Sequence, residues 1–266
     1  SRINQIDFSK LSFGKTFADH MFICEYKDGQ WQNPTIKPYA PITLEPSASV
    51  FHYGQAVFEG MKAYKDDNGH VFLFRPQENY KRINKSCSRL AMPEFPEEWF
   101  DKALRTLVDI DSEWIKPGFG NALYLRPFMI ATTAGVQAAP AKNYLFMIIT
   151  APVQAYYKGD VKVKIADYYS RAANGGFGFA KAAGNYAGQF YPTQQAAAEG
   201  YQQVMWTDDA THQFLEEAGT MNLWFRFGYT LVTCPTSERI LDGVTRKSII
   251  AVAEKLGIKT EIRPVK

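Results

Sequence analysis

The chain has 266 residues, 46% of them apolar and 15% aromatic, enough to bury a sizeable core and to form two domains. Its 30 basic and 27 acidic residues leave a formal charge of +3 with no long basic block, which argues against nucleic acid or an anionic membrane as a partner. Three widely separated cysteines, Cys24, Cys87 and Cys234, match neither a disulfide framework nor a metal-ligand spacing, which argues against a disulfide scaffold and a zinc site.

In chain order, residues 1–50 read as antiparallel hairpins, with Asp28-Gly29 a good turn after the alternating run His20–Tyr26. A second hairpin is expected where His52–Tyr64 leads through Asp67-Asn-Gly69 into Val71–Phe74. Arg75–Leu90 has helical spacing, with Pro76 in its first turn, Tyr80, Ile83, Cys87 and Leu90 on one face and a basic opposite face. Pro93–Pro96 breaks the chain before an amphipathic helix over Glu97–Ser112. Asn121–Ile130 and Tyr144–Thr150 are strand-like, and Tyr124 and Arg126 share a face by the two-residue strand period.

Residues 1–152 therefore read as a small α+β domain, 153–161 as an interdomain linker and 162–266 as a larger domain. The larger domain reads as a strand at Val161–Ala166, a glycine-rich loop around Lys181, a helix over about 184–200 and a strand at Gln202–Thr207. Strands at Phe214–Glu217, Met221–Phe227 and Thr230–Thr233 follow. A helix opening at Leu241–Lys247 runs through Leu256, is capped by Gly257 and gives way to a strand over Lys259–Val265. The run Leu145–Ile149 is too short to cross a bilayer, and Ser1–Ile6 lacks a secretory apolar core, so cytoplasm is the expected location.

Three features carry candidate chemistry. In Arg171–Gly188, five glycines bracket Lys181 and Tyr186, so the backbone lies open to a close approach and the ammonium is poorly hydrated. Taken alone, a lysine among glycines is most often an ordinary solvated side chain. Glu216-Glu217 stand before a Gly219-Thr220 turn, where a carboxylate is partly buried or forms a solvated edge. Asp242-Gly243-Val244-Thr245 at a helix start offers unpaired N–H groups to an anion or is simply a helix cap, and Arg82 offers a bidentate counter-charge or is a solvated surface arginine. None of the four histidines has metal-ligand spacing and no Ser/His/Asp order stands out.

Taken together, seven segments in order resemble the branched-chain amino-acid aminotransferases of the fold-type-IV pyridoxal-phosphate enzymes. They are Phe17–Met21, Phe58-Glu-Gly60, Phe74–Arg82, Leu123–Pro127, Lys181 with Gly184-Asn-Tyr186, Glu217–Asn222 and Ile240–Arg246. The resemblance implies a two-domain, D-amino-acid-aminotransferase-like fold and a homodimer. It implies transfer of the amino group of L-leucine, L-isoleucine or L-valine to 2-oxoglutarate through a Schiff base of pyridoxal 5′-phosphate on Lys181. By the same resemblance Glu217 pairs with the pyridine nitrogen and Tyr186 with the ring hydroxyl. Arg82, Thr220, Val244 and Thr245 belong to the cofactor-binding set, while Phe17, Tyr53, Phe58, Tyr124 and Tyr156 line the substrate pocket. Arg126 is the candidate for the distal carboxylate of glutamate or 2-oxoglutarate.

Two departures stand out. Asn174-Gly-Gly-Phe177-Gly, with Phe179, replaces the smaller residues expected before the lysine. Members of the family also continue past Val265-Lys266 into a Gly-Thr-rich turn, so the larger domain is expected to be incomplete at its C-terminus. The competing readings are another fold-type-IV enzyme, such as a D-amino-acid aminotransferase or an aminodeoxychorismate lyase, and a non-catalytic binding protein of the same fold. Gly219–Asn222 and the aromatic pocket set stand against the first.

Overall fold

The computed structural model describes residues 1–155 and 159–266. The chain forms two compact units, Ser1–Lys158 and Gly159–Lys266. Among the described residues no helix is long and apolar enough to cross a membrane.

The first unit opens with β1 (His20–Lys27), β2 (Gln30–Trp31) and β3 (Thr35–Pro38). Asp28 and Gly29 turn the chain with φ of 53° and 79°, the doubly left-handed geometry of a tight hairpin. Where the second hairpin was expected to begin, the chain instead makes the short helix α1 (Ser49–Tyr53), closed by Gly54 at φ 60°. β4 (Ala56–Phe58), β5 (Met61–Lys65) and β6 (Val71–Leu73) follow, and the hairpin lies between β5 and β6. Helices α2 (Pro76–Arg89) and α3 (Glu97–Ile110) precede the long strands β7 (Ala122–Ala131) and β8 (Tyr144–Val153). β8 thus runs beyond Thr150, where the sequence suggested it would stop. The strands form one antiparallel sheet in the order β2-β1-β8-β7-β5-β6, with β3 added to β1 and β4 to β7.

Alternation along β1 and β8 sorts the two faces of this sheet. Phe22, Cys24, Tyr144, Phe146 and Ile148 join the core with Ile83 and Cys87 of α2 and Phe100, Leu104 and Leu107 of α3. Phe95 stacks on Phe146 with ring centroids 3.8 Å apart at the centre of this layer. Burying each such aromatic side chain contributes roughly 1.5–3 kcal/mol. Met21, Ile23, Leu145, Met147, Phe128 and Ile130 cluster on the opposite face. Tyr124 and Arg126 have this second face's parity on β7, while Leu123, Leu125 and Met129 point into the helix-covered core.

The second unit contains β9 (Val163–Ile165), α4 (Ala183–Ala187), α5 (Phe190–Ala198), β10 (Gln203–Thr207), β11 (Leu215–Ala218), β12 (Met221–Asn222), β13 (Trp224–Phe227), β14 (Thr230–Thr233), α6 (Val244–Lys255) and β15 (Thr260–Ile262). One sheet has the order β12-β11-β10-β9 and another β13-β14-β15; β9/β10 and β14/β15 are parallel pairs. The single helix expected over 184–200 is two, because Pro192 has no N–H to give the Gly188 carbonyl and its ring would strike that carbonyl in a continuous helix. The single strand expected over Met221–Phe227 is also two, since Met221 and Asn222 pair with β11 while Trp224–Phe227 pair with β14. Gly257, at φ 68°, ends α6 as expected.

Candidate active site

The loop 166–182 carries Lys181 from β9 to α4 between Ala180 and Ala182, each 1% exposed. Lys181 Nζ donates to the Tyr186 hydroxyl at 2.7 Å and lies 5.0 Å from the tyrosine ring centre. Asn185 fastens the turn by donating to the Phe177 and Ala180 carbonyls, both at 2.9 Å. The Phe177 side chain is 40% exposed, so this large residue is accommodated by facing outward.

Glycine is required in this loop, but for the protein's own backbone. A Cβ on Gly178 would meet the Ala172 Cβ at 2.5 Å and the Arg239 carbonyl oxygen at 2.7 Å. The expectation that these glycines open the chain to a ligand is therefore corrected at Gly178, whose space is taken by the segment before α6.

Adjacent residues of β11 divide two carboxylates between two arginines. Glu217 is 5% exposed; its Oε1 lies 2.5 Å from Nη2 of Arg171, whose side chain is 7% exposed. The Leu241 N–H and Asn222 Nδ2 also donate to Glu217 at 3.3 Å. Burial pushes the Glu217 carboxyl up to about 7, against the opposing pull of Arg171, the Leu241 N–H and Lys181. Glu216 takes Nε of Arg239 at 2.5 Å, and burial raises its carboxyl too. Neither acid is a solvated edge.

α6 begins three residues after Leu241, with Gly243 at its N-cap and no side-chain cap bond. A Cβ on Gly243 would run into the Asn222 amide oxygen, and Asn222 in turn donates to the Leu241 carbonyl at 2.8 Å. Val244 is buried and Thr245 exposed at this helix start. Thr220 is exposed in the β11–β12 turn. The second unit thus links Lys181, Tyr186, Glu217 and the approach to Val244 and Thr245 through contacts of neighbouring segments. Arg171 and Asn222 were quoted in the sequence motifs without a role; the paired acids and the small-residue turns were the available signal.

In the first unit, Arg82 is not on a solvated helix face. Its Nε and Nη2 donate to the two carboxylate oxygens of fully buried Glu59 at 2.7 and 2.8 Å. Arg126 donates to the Tyr124 hydroxyl at 2.8 Å and sits 4.4 Å over the Phe58 ring. Phe17 stacks on Tyr39 at 4.9 Å. Tyr53 is 45% exposed and donates to the Val136 carbonyl. Tyr156 lies outside the described residues.

The profile of the amino-transferase class IV family matches residues 56–266. Branched-chain-amino-acid transaminase 1 of Bacillus subtilis (strain 168) is 47% identical over 257 residues, covering 95% of this chain and 72% of the relative. The branched-chain-amino-acid aminotransferase of Mycolicibacterium smegmatis is 44% identical over 95% of this chain and 71% of its own length. Among solved structures, the branched-chain aminotransferase of Thermoproteus uzoniensis, crystallised with norvaline, superposes with a TM-score of 0.79 at 21% identity, covering 94% of this chain and 79% of that one. The holo enzyme of Thermobaculum terrenum, in its PLP form, gives 0.78 at 20% identity, covering 95% and 78%. The expected fold-type-IV architecture is thereby met. The chain belongs to the class IV aminotransferases and, within them, to the pyridoxal-phosphate-dependent branched-chain amino-acid aminotransferases.

Proposed function

We propose that this protein exchanges the amino group of L-leucine, L-isoleucine or L-valine with 2-oxoglutarate, using pyridoxal 5′-phosphate bound covalently at Lys181, as a cytoplasmic homodimer. The observation that carries this reading is the Lys181–Tyr186 contact beside buried Glu217, in a chain so closely related to a branched-chain transaminase.

The residues present fit the cofactor's chemistry. Glu217 is a buried acceptor whose raised pKa suits a partner that brings its own proton and positive charge. The start of α6 has amide N–H groups with no side-chain cap, as an anion requires. When bound, pyridoxal phosphate supplies an electron sink for the amino acid's α-carbon. Lys181 Nζ, freed when the amino acid takes its place, would accept the α-proton as general base and deliver it as general acid to the cofactor's C4′ across the substrate nitrogen. Tyr186 keeps that amine oriented through the 2.7 Å hydrogen bond. With the cofactor bound, Glu217 would pair with its pyridine nitrogen, the Val244 and Thr245 N–H groups and Thr220 would hold its phosphate, and Arg82 would be a further phosphate ligand.

Phe17, Tyr53, Phe58 and Tyr124 would supply apolar walls for branched side chains, a preference that a single methylene tunes by only ~1–3 kcal/mol. Arg126, already carrying a hydroxyl and an aromatic face as neighbours, takes the distal carboxylate of glutamate. Borohydride reduction of the cofactor-loaded protein followed by peptide mapping tests the centre of this reading, with the label expected on Lys181. A label on another lysine, or none, refutes it. Turnover of L-leucine should exceed that of D-alanine with 2-oxoglutarate as acceptor, and the reverse order would reassign the substrate class.

A further inference from the structure

A second arginine-bound carboxylate beside the site would be unremarkable if the arginine touched nothing else. Arg171 touches more. It stands ten residues before Lys181, its side chain is 7% exposed, and its Nη2 reaches Glu217 Oε1 at 2.5 Å, the Gly178 carbonyl at 2.9 Å and the Arg239 carbonyl. These three acceptors belong to three segments: the strand carrying Glu217, the loop carrying Lys181 and the approach to α6. We propose that Arg171 is a positioning residue that aims the Glu217 carboxylate and favours its charged form against burial, while it fastens the lysine loop to the segment that leads into the helix start. The proposal rests on the reading of Glu217 as the acid facing the cofactor's ring nitrogen.

The physical reason lies in the balance of charges. Glu217 is buried on all sides, and burial favours its protonated form. The cations facing it are Arg171 and Lys181; Glu216 adds a like charge from the same strand, and Arg239 is engaged with Glu216 and, at 3.6 Å, Asp209. Lys181 is the residue that must change its bonding during the reaction, so its charge is not constant at Glu217. Arg171 is constant, because a guanidinium keeps its proton throughout the working pH range. Without it, burial would push the balance at Glu217 further toward the protonated acid. The simpler alternative is that Arg171 only staples the loop. Both roles need the fold, but only the first sets the titration of Glu217.

The test uses cofactor-free protein with ¹³C-carboxyl-labelled glutamate, titrated by NMR, with Glu217→Gln assigning the signal. Removing a cation at hydrogen-bond distance in Arg171→Gln should raise the Glu217 midpoint by about 1–3 pH units. Arg171→Lys, whose ammonium carries its three donors on one nitrogen, should restore most of that shift. An unchanged midpoint in both variants, with only thermal stability lost, overturns the proposal; so does full displacement in Arg171→Lys despite a bound ammonium. If Arg171→Gln does not fold, a midpoint in Arg171→Lys equal to that in wild type at raised ionic strength and in its absence supports a retained charge contact, whereas salt-dependent drift toward a higher midpoint refutes it. No cofactor enters these measurements, so a failure of borohydride trapping at Lys181 refutes the functional reading while leaving this result standing.

Discussion

Glu59→Gln isolates the energetics of the Arg82 anchor at nearly constant volume. Oε1 of Glu59 accepts Arg82 Nε at 2.7 Å; Oε2 accepts Arg82 Nη2 at 2.8 Å, Asn79 Nδ2 at 2.7 Å and the Gly60 N–H at 3.2 Å. An amide has one acceptor oxygen, so if that oxygen keeps the three donors at the Oε2 position, its own NH₂ is driven against the Arg82 Nε–H. The Arg82 side chain is 11% exposed and the Glu59 side chain 0%, so the guanidinium loses its carboxylate with little water to replace it. Removing one member of such a buried pair costs about 3–5 kcal/mol. At ~2–4 °C per kcal/mol for a chain of this size, the melting temperature should fall by about 10 °C. The assay is urea unfolding of cofactor-free Glu59→Gln, Arg82→Met and the double variant, read by hydrogen exchange in β5 and α2 so that the first unit is followed directly. The double variant removes both charges together and should lose less than the two single variants added, by ~0.5–3 kcal/mol. Additive losses, or a Glu59→Gln loss under ~1 kcal/mol, would refute the buried-pair account.

Gly178→Ala should destabilise the second unit by roughly 1–3 kcal/mol in urea unfolding, because its methyl has the Ala172 side chain and the Arg239 backbone in its place. Two carboxyls should act in opposite directions with pH. Glu217 has its folded pKa raised from 4.5 to about 7, so its contribution to stability is complete below pH 4.5 and is lost as pH rises to about 7, amounting to about 3 kcal/mol at 1.36 kcal/mol per unit. Asp208 is lowered, because the Phe214, Gln213 and Thr211 N–H groups and the Thr211 hydroxyl outweigh its burial, so its contribution is present above pH 3.8 and is lost as pH falls further. Hydrogen exchange of loop 208–214 should accelerate below that pH, and Glu217→Gln should remove the stability change between pH 4.5 and 7. Burial pushes Cys24 and Cys234 up to about 11 and Cys87 up to about 12, so disulfide reagents at pH 8 should label native protein far more slowly than urea-unfolded protein, and rapid labelling of any one thiol would contradict the buried placement.

Local regularities explain which parts of the fold were legible. The 3.6-residue spacing of Ile83 and Cys87 and the two-residue period that puts Tyr124 and Arg126 on one side of β7 depend only on neighbours in sequence, and α2 formed with the expected face. The Asp28-Gly29 turn was equally local. The break at Gly188-Gln189 was local too, since Pro192 forces it, but the break at Leu223 was not: Asn222 pairs in one sheet while Trp224 joins another. Lys181, Tyr186 and Glu217 stood out through residue type and motif; the Lys181–Tyr186 contact is local, but the arginine at Glu217 comes from a distant position in the sequence.

Glu216 and Glu217 show why that environment is the harder part. Two adjacent acids on a strand face opposite sides, and the expectation for such a pair in isolation is a polar edge. Here both are buried, each against its own arginine: Arg239, twenty-three residues downstream of Glu216, and Arg171, forty-six residues upstream of Glu217. No spacing rule joins positions so far apart. What joins them is the close passage of backbone at Gly178 and Arg239, where the absent side chain brings the lysine loop and the α6 approach together and Arg171 can reach both carbonyls and Glu217. The absent side chain at Gly178 makes room for Ala172 and the Arg239 backbone, whose carbonyl Arg171 also holds, so a methyl at Gly178 should disturb the Arg171–Glu217 contact as well as the packing of the loop.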